Sequence, residues 1–322
     1  MRIGLSPYGT VFSMGIHPAA RQPRITARQL LARAQALGLE GVEMPVSLLA
    51  DEDIDAITQY TQERGMFLTL ASGGYEPRAL AKAIELAARI GAATVRTVVG
   101  GAKLGGDRRP LTGRWQPFLQ EVLTGLREAA TYADRAGVNL ALENHQDLAS
   151  EELLWLQENI AAQRFGITLD TGNPLATAEE PLDFFRRMAP YVRNVHLKDY
   201  QVYLSEEGYR LVRCPLGQGV IDFPTLFSIL EQACPEVTMV IEMGALEARH
   251  VRVLADDYWP DYPPRTAAQF ARLWRMVQAN SSPPGDWRTP FERQEPAEEV
   301  IAYEERQLAA SLAYLAALRS MI

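Results

Sequence analysis

Short apolar runs alternate with amphipathic segments along most of the chain, and this pattern predicts β-strands separated by α-helices. Thr26 and Asp222 precede helical segments as expected for N-caps, and Gly38 and Gly91 follow helical segments as expected for C-terminal stops. The predicted strands cover residues 3–6, 39–44, 66–71, 94–99, 138–143, 165–170, 192–196 and 237–242. The predicted helices cover residues 27–37, 51–64, 77–90, 117–136, 151–160, 181–189, 223–233 and 266–278.

Eight strand–helix units within residues 1–280 predict an α/β protein of the (β/α)8 TIM barrel type. A doubly wound open sheet is the alternative, but no G-x-G-x-x-G motif follows the first strand. The segment 200–219 is too long for a simple connection, and it is expected to hold a small hairpin. The barrel prediction implies that functional side chains gather at the C-terminal ends of the strands.

The pattern changes after residue 280. Residues 281–286 read Ser-Ser-Pro-Pro-Gly-Asp, which is typical of a linker. Residues 295–319 predict one amphipathic helix, whose apolar stripe contains Val300, Ile301, Leu308, Leu312, Leu315 and Leu318. We therefore divide the chain into a barrel of residues 1–280 and an extension of residues 281–322. The helix is expected to pack on the barrel or on a second subunit, and a homo-oligomer formed through it is the expected assembly.

Composition excludes some classes of protein. The 322 residues are 47% hydrophobic and carry a formal net charge of −8, which argues against a nucleic-acid-binding protein. No apolar run approaches the roughly 20 residues of a membrane span, and the N-terminus lacks a signal-peptide pattern. A cytoplasmic location is therefore expected. Cys214 and Cys234 are expected to be free thiols, because one bridge is not a disulfide framework.

Four of the predicted strands end in a side chain that can bind a metal. These side chains are Glu143, Asp170, His196 and Glu242. Strand-end salt bridges would explain any one of them, but four at equivalent positions predict the ligands of one divalent ion. Three oxygens and one imidazole suit Mn2+, which is the expected ion, with Mg2+, Co2+, Fe2+ and Zn2+ as alternatives.

Further side chains are expected near this ion. Residues two apart on a strand point the same way, so His145 follows Glu143 and Lys198 follows His196 into the mouth of the barrel. His145 is predicted to be a general base or acid, or else a hydrogen-bond partner of the ligands. Lys198 is predicted to neutralise an oxyanion or to bind a substrate carboxylate, or else to pair with Asp170 or Asp199.

Candidate substrate-binding residues come from the strand ends and from basic segments. Glu43 could bind substrate hydroxyls or form a salt bridge, and Asn173 in the turn after Asp170 could bind substrate. Arginine recognises carboxylate or phosphate with two parallel hydrogen bonds, and the predicted arginines are Arg213, Arg249 and Arg252. The Gly-rich basic loop 100–114 is expected to be a lid over an anionic substrate or a solvated surface loop.

The sequence resembles the sugar isomerase/epimerase group of xylose-isomerase-like barrels over about residues 1–280. The likeness rests on Leu-Glu143-Asn-His145, Leu-Asp170-Thr-Gly-Asn173, Val-His196-Leu-Lys198-Asp199 and Ile-Glu242. It implies that the four candidate ligands bind one metal and that Glu143 and Glu242 also exchange the proton of a substrate carbon. Ketose epimerases usually have histidine where this chain has Asn173, and arginine near Lys198-Asp199, which puts simple ketose epimerisation in doubt.

A second likeness is to barrels of carbohydrate-acid catabolism such as 3-oxo-isoapionate decarboxylase. It rests on Glu143-Asn-His-Gln-Asp-Leu-Ala-Ser-Glu-Glu, Arg213-Cys-Pro-Leu-Gly217 and Gly244-Ala-Leu-Glu-Ala-Arg-His250. The resemblances together imply a metal-dependent enzyme that forms an enediolate on a sugar or sugar acid. The expected activity is that of an isomerase or epimerase. The alternatives are a decarboxylase of a 3-oxo sugar acid, a related C-glycoside deglycosidase or lyase, and a barrel that binds sugar without catalysis.

Overall fold

A computed structural model describes residues 1–244 and 246–319. Eight parallel strands form a closed barrel in the order β1-β10-β7-β6-β5-β4-β3-β2, which confirms the predicted (β/α)8 class. The other three strands, β8, β9 and β11, form a separate small sheet. In chain order the strands are Arg2–Leu5 (β1), Gly41–Pro45 (β2), Phe67–Ala71 (β3), Thr94–Thr97 (β4), Asn139–Glu143 (β5), Phe165–Asp170 (β6), Val192–Leu197 (β7), Asp199–Ser205 (β8), Gly208–Cys214 (β9), Thr238–Ile241 (β10) and Arg249–Val251 (β11).

Amphipathic helices surround the barrel. Their apolar residues recur at helical spacing, as Leu80, Ile84 and Ala87 do on one buried face, so each helix covers the sheet with one stripe. The predicted cap Thr26 forms a capping box with Gln29. The helices are Ala27–Ala36 (α1), Ile54–Glu63 (α2), Pro77–Ile90 (α3), Trp115–Ala136 (α4), Ser150–Ile160 (α5), Pro181–Met188 (α6), Phe223–Ala233 (α7), Ala267–Ala279 (α8) and Ala297–Arg319 (α9).

The segment after β7 contains the hairpin that its length predicted. Strands β8 and β9 pair antiparallel from Asp199–Cys214 at the base to Ser205–Gly208 at the turn. The third strand of this sheet, β11, was not predicted and pairs antiparallel with β9. The sheet therefore connects the segments that follow β7 and β10, which both leave the barrel at its C-terminal end.

The C-terminal helix α9 packs on the barrel of its own chain. Leu308, Leu315 and Leu318 belong to the same hydrophobic core as the barrel strands. At its sides Glu305 pairs with Arg33 of α1 at 2.6 Å, and the Tyr314 ring lies 6.0 Å from Phe223 of α7. Helix α9 thus lies between α1 and α7, where the eighth helix of a barrel is expected. Its main apolar stripe is buried within the chain, so assembly through that stripe is not supported, and homo-oligomerisation itself stays a prediction.

Helix α8 was expected to follow the eighth barrel strand and complete the ring, but it packs elsewhere. Its Arg272 lies 3.0 Å from Asp183 of α6, and its Trp274 ring lies 6.5 Å from Tyr209 of the hairpin. Helix α8 therefore packs beside α6 and the small sheet. Helix α9 instead packs between α1 and α7.

Helix α9 also holds loops at the C-terminal end of the barrel. The Glu304 carboxylate accepts hydrogen bonds from the backbone N–H groups of Phe12 at 3.1 Å and Ser13 at 2.8 Å. The Ser311 hydroxyl accepts a hydrogen bond from the backbone N–H of Leu216 at 3.0 Å. The extension therefore supports both the loop after β1 and the segment after β9.

Glu304 gives the unfolding free energy a testable pH dependence. Burial raises the pKa of this carboxyl group to about 7, whereas an unperturbed glutamate has a pKa of about 4.3. Because the folded pKa is raised, the stabilising contribution is complete below the unfolded pKa and is lost as the pH rises through about 7. Raising the pH from 5 to 8.5 should lower the unfolding free energy of the wild type by about 2 kcal/mol more than that of Glu304→Gln, because glutamine does not ionise. Urea denaturation of both proteins at both pH values measures this difference, and a difference independent of pH contradicts it.

Two further expectations concern cysteines and membranes. Both Cys214 and Cys234 are free, as predicted, with Cys214 buried and Cys234 half-buried. Within residues 1–244 and 246–319, no helix combines the length and the apolar character needed to cross a bilayer.

Candidate metal centre

The four predicted ligands come together at the C-terminal ends of neighbouring barrel strands. Glu143 and Asp170 end β5 and β6, His196 lies on β7, and Glu242 directly follows β10. The strand register places Asp170 opposite His196, and the backbone N–H of Glu242 donates to the carbonyl of Leu197 at 3.0 Å. One possible ligand atom from each side chain lies within 4.8 Å of the others. The hydrogen-bond register of the barrel therefore positions the cluster.

Several of these atoms are buried without a partner in hydrogen-bond geometry. They are both carboxylate oxygens of Glu143, Oε2 of Glu242 and Nδ1 of His196. Three of these atoms still have ion-pair contacts, because Oε2 of Glu143 lies 2.9 Å from Nε of Arg96 and Oε2 of Glu242 lies 2.6 Å from Nδ1 of His196. Several buried carboxylates around one imidazole repel one another, so their arrangement needs an explanation. Carboxylate oxygens and an imidazole nitrogen at this spacing are a donor set that fits a divalent cation.

The two ring nitrogens of His196 have different surroundings. Nε2 lies 2.7 Å from Oε2 of Glu43, whereas Nδ1 lies 2.6 Å from Oε2 of Glu242 and 3.6 Å from Oε2 of Glu143. If Nε2–H donates to Glu43, the lone pair of Nδ1 points toward the glutamates. A carboxylate that holds the distant nitrogen of a metal-binding histidine is a common arrangement in metal sites. In that tautomer, Nδ1 is the ring nitrogen available to a metal ion.

The electrostatics of the cluster favour a cation. Burial alone lowers the pKa of His196, but the carboxylates of Glu43, Glu143 and Glu242 outweigh burial and raise this pKa well above its ordinary value. Burial alone raises the pKa of Glu242, but the charges of Lys198 and His196 outweigh it and hold this pKa well below its ordinary value. The same negative field that favours the imidazolium would stabilise a divalent ion in its place.

Glu43 was expected to bind substrate hydroxyls or to form a salt bridge, and the structure shows it in ion-pair contacts. Its Oε2 contacts Nε2 of His196, and its Oε1 lies 3.6 Å from Nη2 of Arg96 and accepts a hydrogen bond from Ser6 Oγ at 3.1 Å. The side chain is fully buried. Glu43 is therefore placed to orient His196, and its contact with substrate stays a prediction.

Arg96 is a member of the cluster that sequence reasoning missed. Its Nε lies 2.9 Å from Oε2 of Glu143, and its Nη2 lies 3.6 Å from Oε1 of Glu43. The side chain is buried, with the Tyr8 ring 5.2 Å from its guanidinium carbon. A charged residue inside the fully buried strand Thr94–Thr97 was an available signal, but Arg96 is not the last residue of its strand, as the predicted ligands are. Arg96 connects two glutamates that play different parts in the site.

Lys198 lies among the proposed ligands. Its ammonium group pairs with Oδ2 of Asp170 and lies 3.3 Å from Oε1 of Glu242. The alternative partner Asp199 is engaged elsewhere, since it accepts backbone N–H groups of the segment 217–221. The ammonium therefore offsets part of the negative charge of the cluster, as the ion-pair alternative with Asp170 anticipated.

His145 and Asn173 border the cluster. His145 is half-buried, and burial together with the charge of Lys198 lowers its pKa to about 4. The imidazole is therefore neutral near pH 7 and able to accept a proton. Asn173 is buried, and its Oδ1 accepts a hydrogen bond from Gln146 at 3.2 Å while its Nδ2 has no partner among the described residues. Both side chains thus retain hydrogen-bonding capacity.

The structure separates the three predicted arginines. Arg213 and Arg249 are buried, and the charge of Arg213 is second only to burial in lowering the pKa of Arg249. Arg252 lies outside this pair. Its guanidinium bonds Glu207 at 2.8 and 3.0 Å and Asp257 at 3.2 Å. The predicted substrate contact of Arg252 is therefore not supported, because surface carboxylates occupy its donors.

The basic loop after β4 is folded rather than free. Arg108 is buried, with both of its terminal nitrogens bonded to Glu152 at 2.9 and 2.6 Å. Its guanidinium carbon lies 3.8 Å from the Trp115 ring centroid and 3.7 Å from that of Tyr262. Arg109 pairs with Asp107 at 2.8 Å. Protein groups hold both guanidinium groups, and Arg109 is exposed, which agrees with the surface-loop alternative, while a role of the loop as a lid stays a prediction.

The cluster is closed from solvent in this conformation. Its four proposed ligands are at most 5% exposed. A surface cavity of about 680 Å3 lies within the segment 253–270 and is lined by none of them. Chemically, the arrangement can hold a divalent ion between three carboxylates and an imidazole, with cationic side chains and a neutral histidine beside it.

Comparisons with known proteins agree with this geometry. The sequence profile described as xylose isomerase-like TIM barrel matches residues 31–256. The uncharacterized protein YihM of Escherichia coli is 25% identical over 227 residues, which cover 66% of this chain and 65% of YihM. The 3-oxo-isoapionate decarboxylase of Pectobacterium atrosepticum is 23% identical over 199 residues, which cover 61% of this chain and 68% of that enzyme. The chain thus spans about two thirds of the length of these relatives.

A solved structure gives the same fold at lower sequence identity. The IolI protein with a bound zinc atom superposes with a TM-score of 0.58 and 15% identity, covering 88% of this chain and all of that chain. At this identity the likeness concerns the fold alone.

Proposed function

Because the chain belongs to the xylose isomerase-like TIM barrel family, we propose that it is a divalent-metal-dependent enzyme that forms an enediolate on a sugar or sugar acid. The observation that carries the proposal is the buried cluster of Glu143, Asp170, His196 and Glu242, whose possible ligand atoms lie within 4.8 Å of one another. A barrel that only binds sugar would not need three carboxylates and an imidazole buried together. The zinc of IolI and the activity of the Pectobacterium decarboxylase support the proposal as properties of those proteins.

Glu143, Asp170, Nδ1 of His196 and Glu242 would hold the ion, with Mn2+ expected and Mg2+, Co2+, Fe2+ or Zn2+ as alternatives. When bound, such an ion supplies Lewis-acid stabilisation of charge on substrate oxygens, which is typically worth several kcal/mol. Glu43 keeps His196 in the orientation and tautomer that this requires.

The side chains around the ion can carry the proton. A carboxylate of Glu143 or Glu242 takes the proton from a substrate carbon, and the electron pair of that C–H bond becomes the double bond of the enediolate. Return of the proton to the adjacent carbon isomerises the sugar, and return to the opposite face of the same carbon epimerises it. His145, which is neutral near pH 7, is the additional base, and Lys198 donates to an oxygen that gains negative charge.

Decarboxylation of a 3-oxo sugar acid is the second candidate. There the electron pair of the bond to the departing CO2 becomes the double bond of the enediolate, and a protein acid then protonates carbon. The specific observation in its favour is the buried pair Arg213 and Arg249, whose donors suit a carboxylate. Both reactions require stabilisation of negative charge on substrate oxygens. They differ in the bond that breaks, which is a C–H bond in isomerisation and the C–C bond to CO2 in decarboxylation.

Turnover in D2O separates the candidates. An isomerase or epimerase incorporates deuterium into the recovered ketose, because the abstracted proton exchanges with solvent. A decarboxylase releases CO2 and places deuterium in the product only. NMR and mass spectrometry of a panel of ketoses and 3-oxo sugar acids, incubated with protein and Mn2+, measure both outcomes. We expect deuterium in the recovered keto sugar or keto sugar acid, and the absence of any metal-dependent deuterium incorporation or CO2 release contradicts the proposed function.

A further inference from the structure

Arg213 is a buried cation without a carboxylate partner. It is 8% exposed, and no acidic side chain among the described residues lies within 4.0 Å of its guanidinium nitrogens. Burial of an arginine without a partner is rare, because an uncompensated charge in a low-dielectric interior is strongly unfavourable. Its guanidinium lies against the backbone of Gly244, two residues after Glu242, so it is beside the candidate metal centre, and the phenol of Tyr200 is next to it. The position of this side chain therefore calls for an anion that is not part of the protein.

The structure around Arg213 leaves room for its guanidinium. A β-carbon at Gly244 would collide with Nη1 of Arg213, so the absence of a side chain there makes room for it. The backbone carbonyl of Arg213 accepts a hydrogen bond from Nε2 of Gln307 on α9 at 3.4 Å. Helix α9 thus contacts the backbone of the strand that carries Arg213, and the segment after β10 borders its side chain.

Arg249 completes a pair of cations. It is 4% exposed, and its Nη1 contacts the carboxylate and the carbonyl of Glu247 at 3.2 and 3.1 Å, while its Nε has no partner. Arg249 lies opposite Leu211 in the small sheet, and Leu211 and Arg213 are two residues apart on β9, so both arginines are on the same face of this sheet. Two neighbouring buried guanidinium groups, one of them lacking a carboxylate, offer several donors to one bound oxyanion.

The charge of the mouth indicates how many negative charges the ligand carries. The carboxylates are Glu43, Glu143, Asp170 and Glu242, and the cations beside them are Arg96, Lys198 and Arg213. Their formal sum is one negative charge, with Arg249 balanced by Glu247. A divalent ion on the four proposed ligands changes this sum to one positive charge. A monoanion would restore neutrality, whereas a phosphate monoester carries about −1.5 to −2 at pH 7.

We infer that Arg213 and Arg249 form a subsite for the carboxylate of the substrate, which makes the substrate a sugar acid rather than a neutral or phosphorylated sugar. The inference rests on the proposed metal-dependent function, because the metal at Glu143, Asp170, His196 and Glu242 produces the positive excess. Beyond that function, the two arginines define the charged group of the substrate as a carboxylate and place it beside Arg213 and Arg249. The inference applies to an isomerase of sugar acids as well as to a decarboxylase.

Calorimetric binding to Mn2+-loaded protein tests the subsite. The probes are D-gluconate, D-glucitol and D-glucose 6-phosphate, of which the first two share one carbon chain and differ in the carboxylate. We expect D-gluconate to bind at least about tenfold more tightly than either other probe. Arg213→Gln should reduce this preference to near unity while its affinity for Mn2+ stays unchanged.

Arg210→Gln is the matched control. Arg210 lies on the same strand at an odd separation from Arg213, so it points to the opposite face, where its guanidinium carbon lies 4.7 Å from the Trp287 ring centroid. The Arg210→Gln variant should retain the preference for D-gluconate. Equal binding of the three probes, no binding of D-gluconate, or an Arg213→Gln variant with an intact preference overturns the inference.

Failure of the subsite can be distinguished from failure of the proposed function. Turnover of a neutral ketose without a preference for acids rejects the subsite and keeps the metal-dependent function. A preference for D-gluconate that Arg213→Gln removes, without turnover of any carbohydrate, keeps the subsite and rejects the proposed reaction. Tighter binding of D-glucose 6-phosphate than of D-gluconate rejects the carboxylate and assigns the arginines to a phosphate.

Discussion

Glu242→Gln is expected to lower metal-dependent turnover by at least about 10^3-fold while the barrel stays folded. Glutamine keeps the shape of the side chain but cannot carry a proton between carbon atoms, and it removes one negative charge from the proposed metal site. The carboxylate lies 2.6 Å from Nδ1 of His196 and 3.3 Å from Nζ of Lys198, so both groups lose a charged partner. The measurement is kcat/KM, at saturating Mn2+, for whichever compound the wild-type protein converts.

The fold is expected to survive this change because the backbone of Glu242, not its side chain, pairs with Leu197. Glu236→Gln is the matched control, since this exposed residue precedes the same strand at its other end. It should leave turnover and the melting temperature unchanged. Normal metal-dependent activity in Glu242→Gln would show that this carboxylate takes no part in the reaction.

Arg108→Ala is expected to lower the free energy of unfolding by about 3 to 5 kcal/mol, the typical cost of removing one partner of a buried ion pair. The substitution leaves the carboxylate of Glu152 buried, with Trp115 Nε1 at 2.6 Å and the N–H of Ala149 at 2.8 Å as its remaining partners. It also removes the guanidinium from between the rings of Trp115 and Tyr262. Urea denaturation with circular dichroism measures the loss.

Arg109→Ala is the control beside it. Arg109 is half-exposed and pairs with Asp107 and Asp257 at the surface, where such ion pairs contribute about 0 to 1 kcal/mol. We expect a small effect from this variant. Equal losses from the two variants would contradict the assignment of Arg108 as the residue that anchors the loop.

Much of the fold was predictable because the strands are short apolar runs that alternate with segments whose apolar residues recur at helical spacing. The proposed metal ligands were predictable for a related reason, since the C-terminal ends of the strands form the mouth of the barrel. The resemblance to sugar isomerases also implied that Glu143, Asp170, His196 and Glu242, in this order along the chain, bind one metal. All four lie in one cluster in the structure.

The features that the sequence did not predict depend on contacts between residues far apart in the chain. Glu43 and His196 are 153 positions apart, and sequence pattern alone did not show that the carboxylate contacts the imidazole. Arg108 and Arg109 are adjacent and chemically identical, yet one is buried against Glu152 and the other is half-exposed. The position of α9 between α1 and α7 was also missed, because an amphipathic stripe shows that a helix packs but does not identify its partner.

Titration of the metal-free protein with Mn2+ tests the central claim most directly. If Glu143, Asp170, His196 and Glu242 are the ligands, calorimetry should show one saturable site per chain, and Asp170→Asn should weaken it strongly without unfolding the barrel. Absence of saturable binding in the wild-type protein, or unchanged affinity in Asp170→Asn, would contradict the assignment of this cluster as a metal centre.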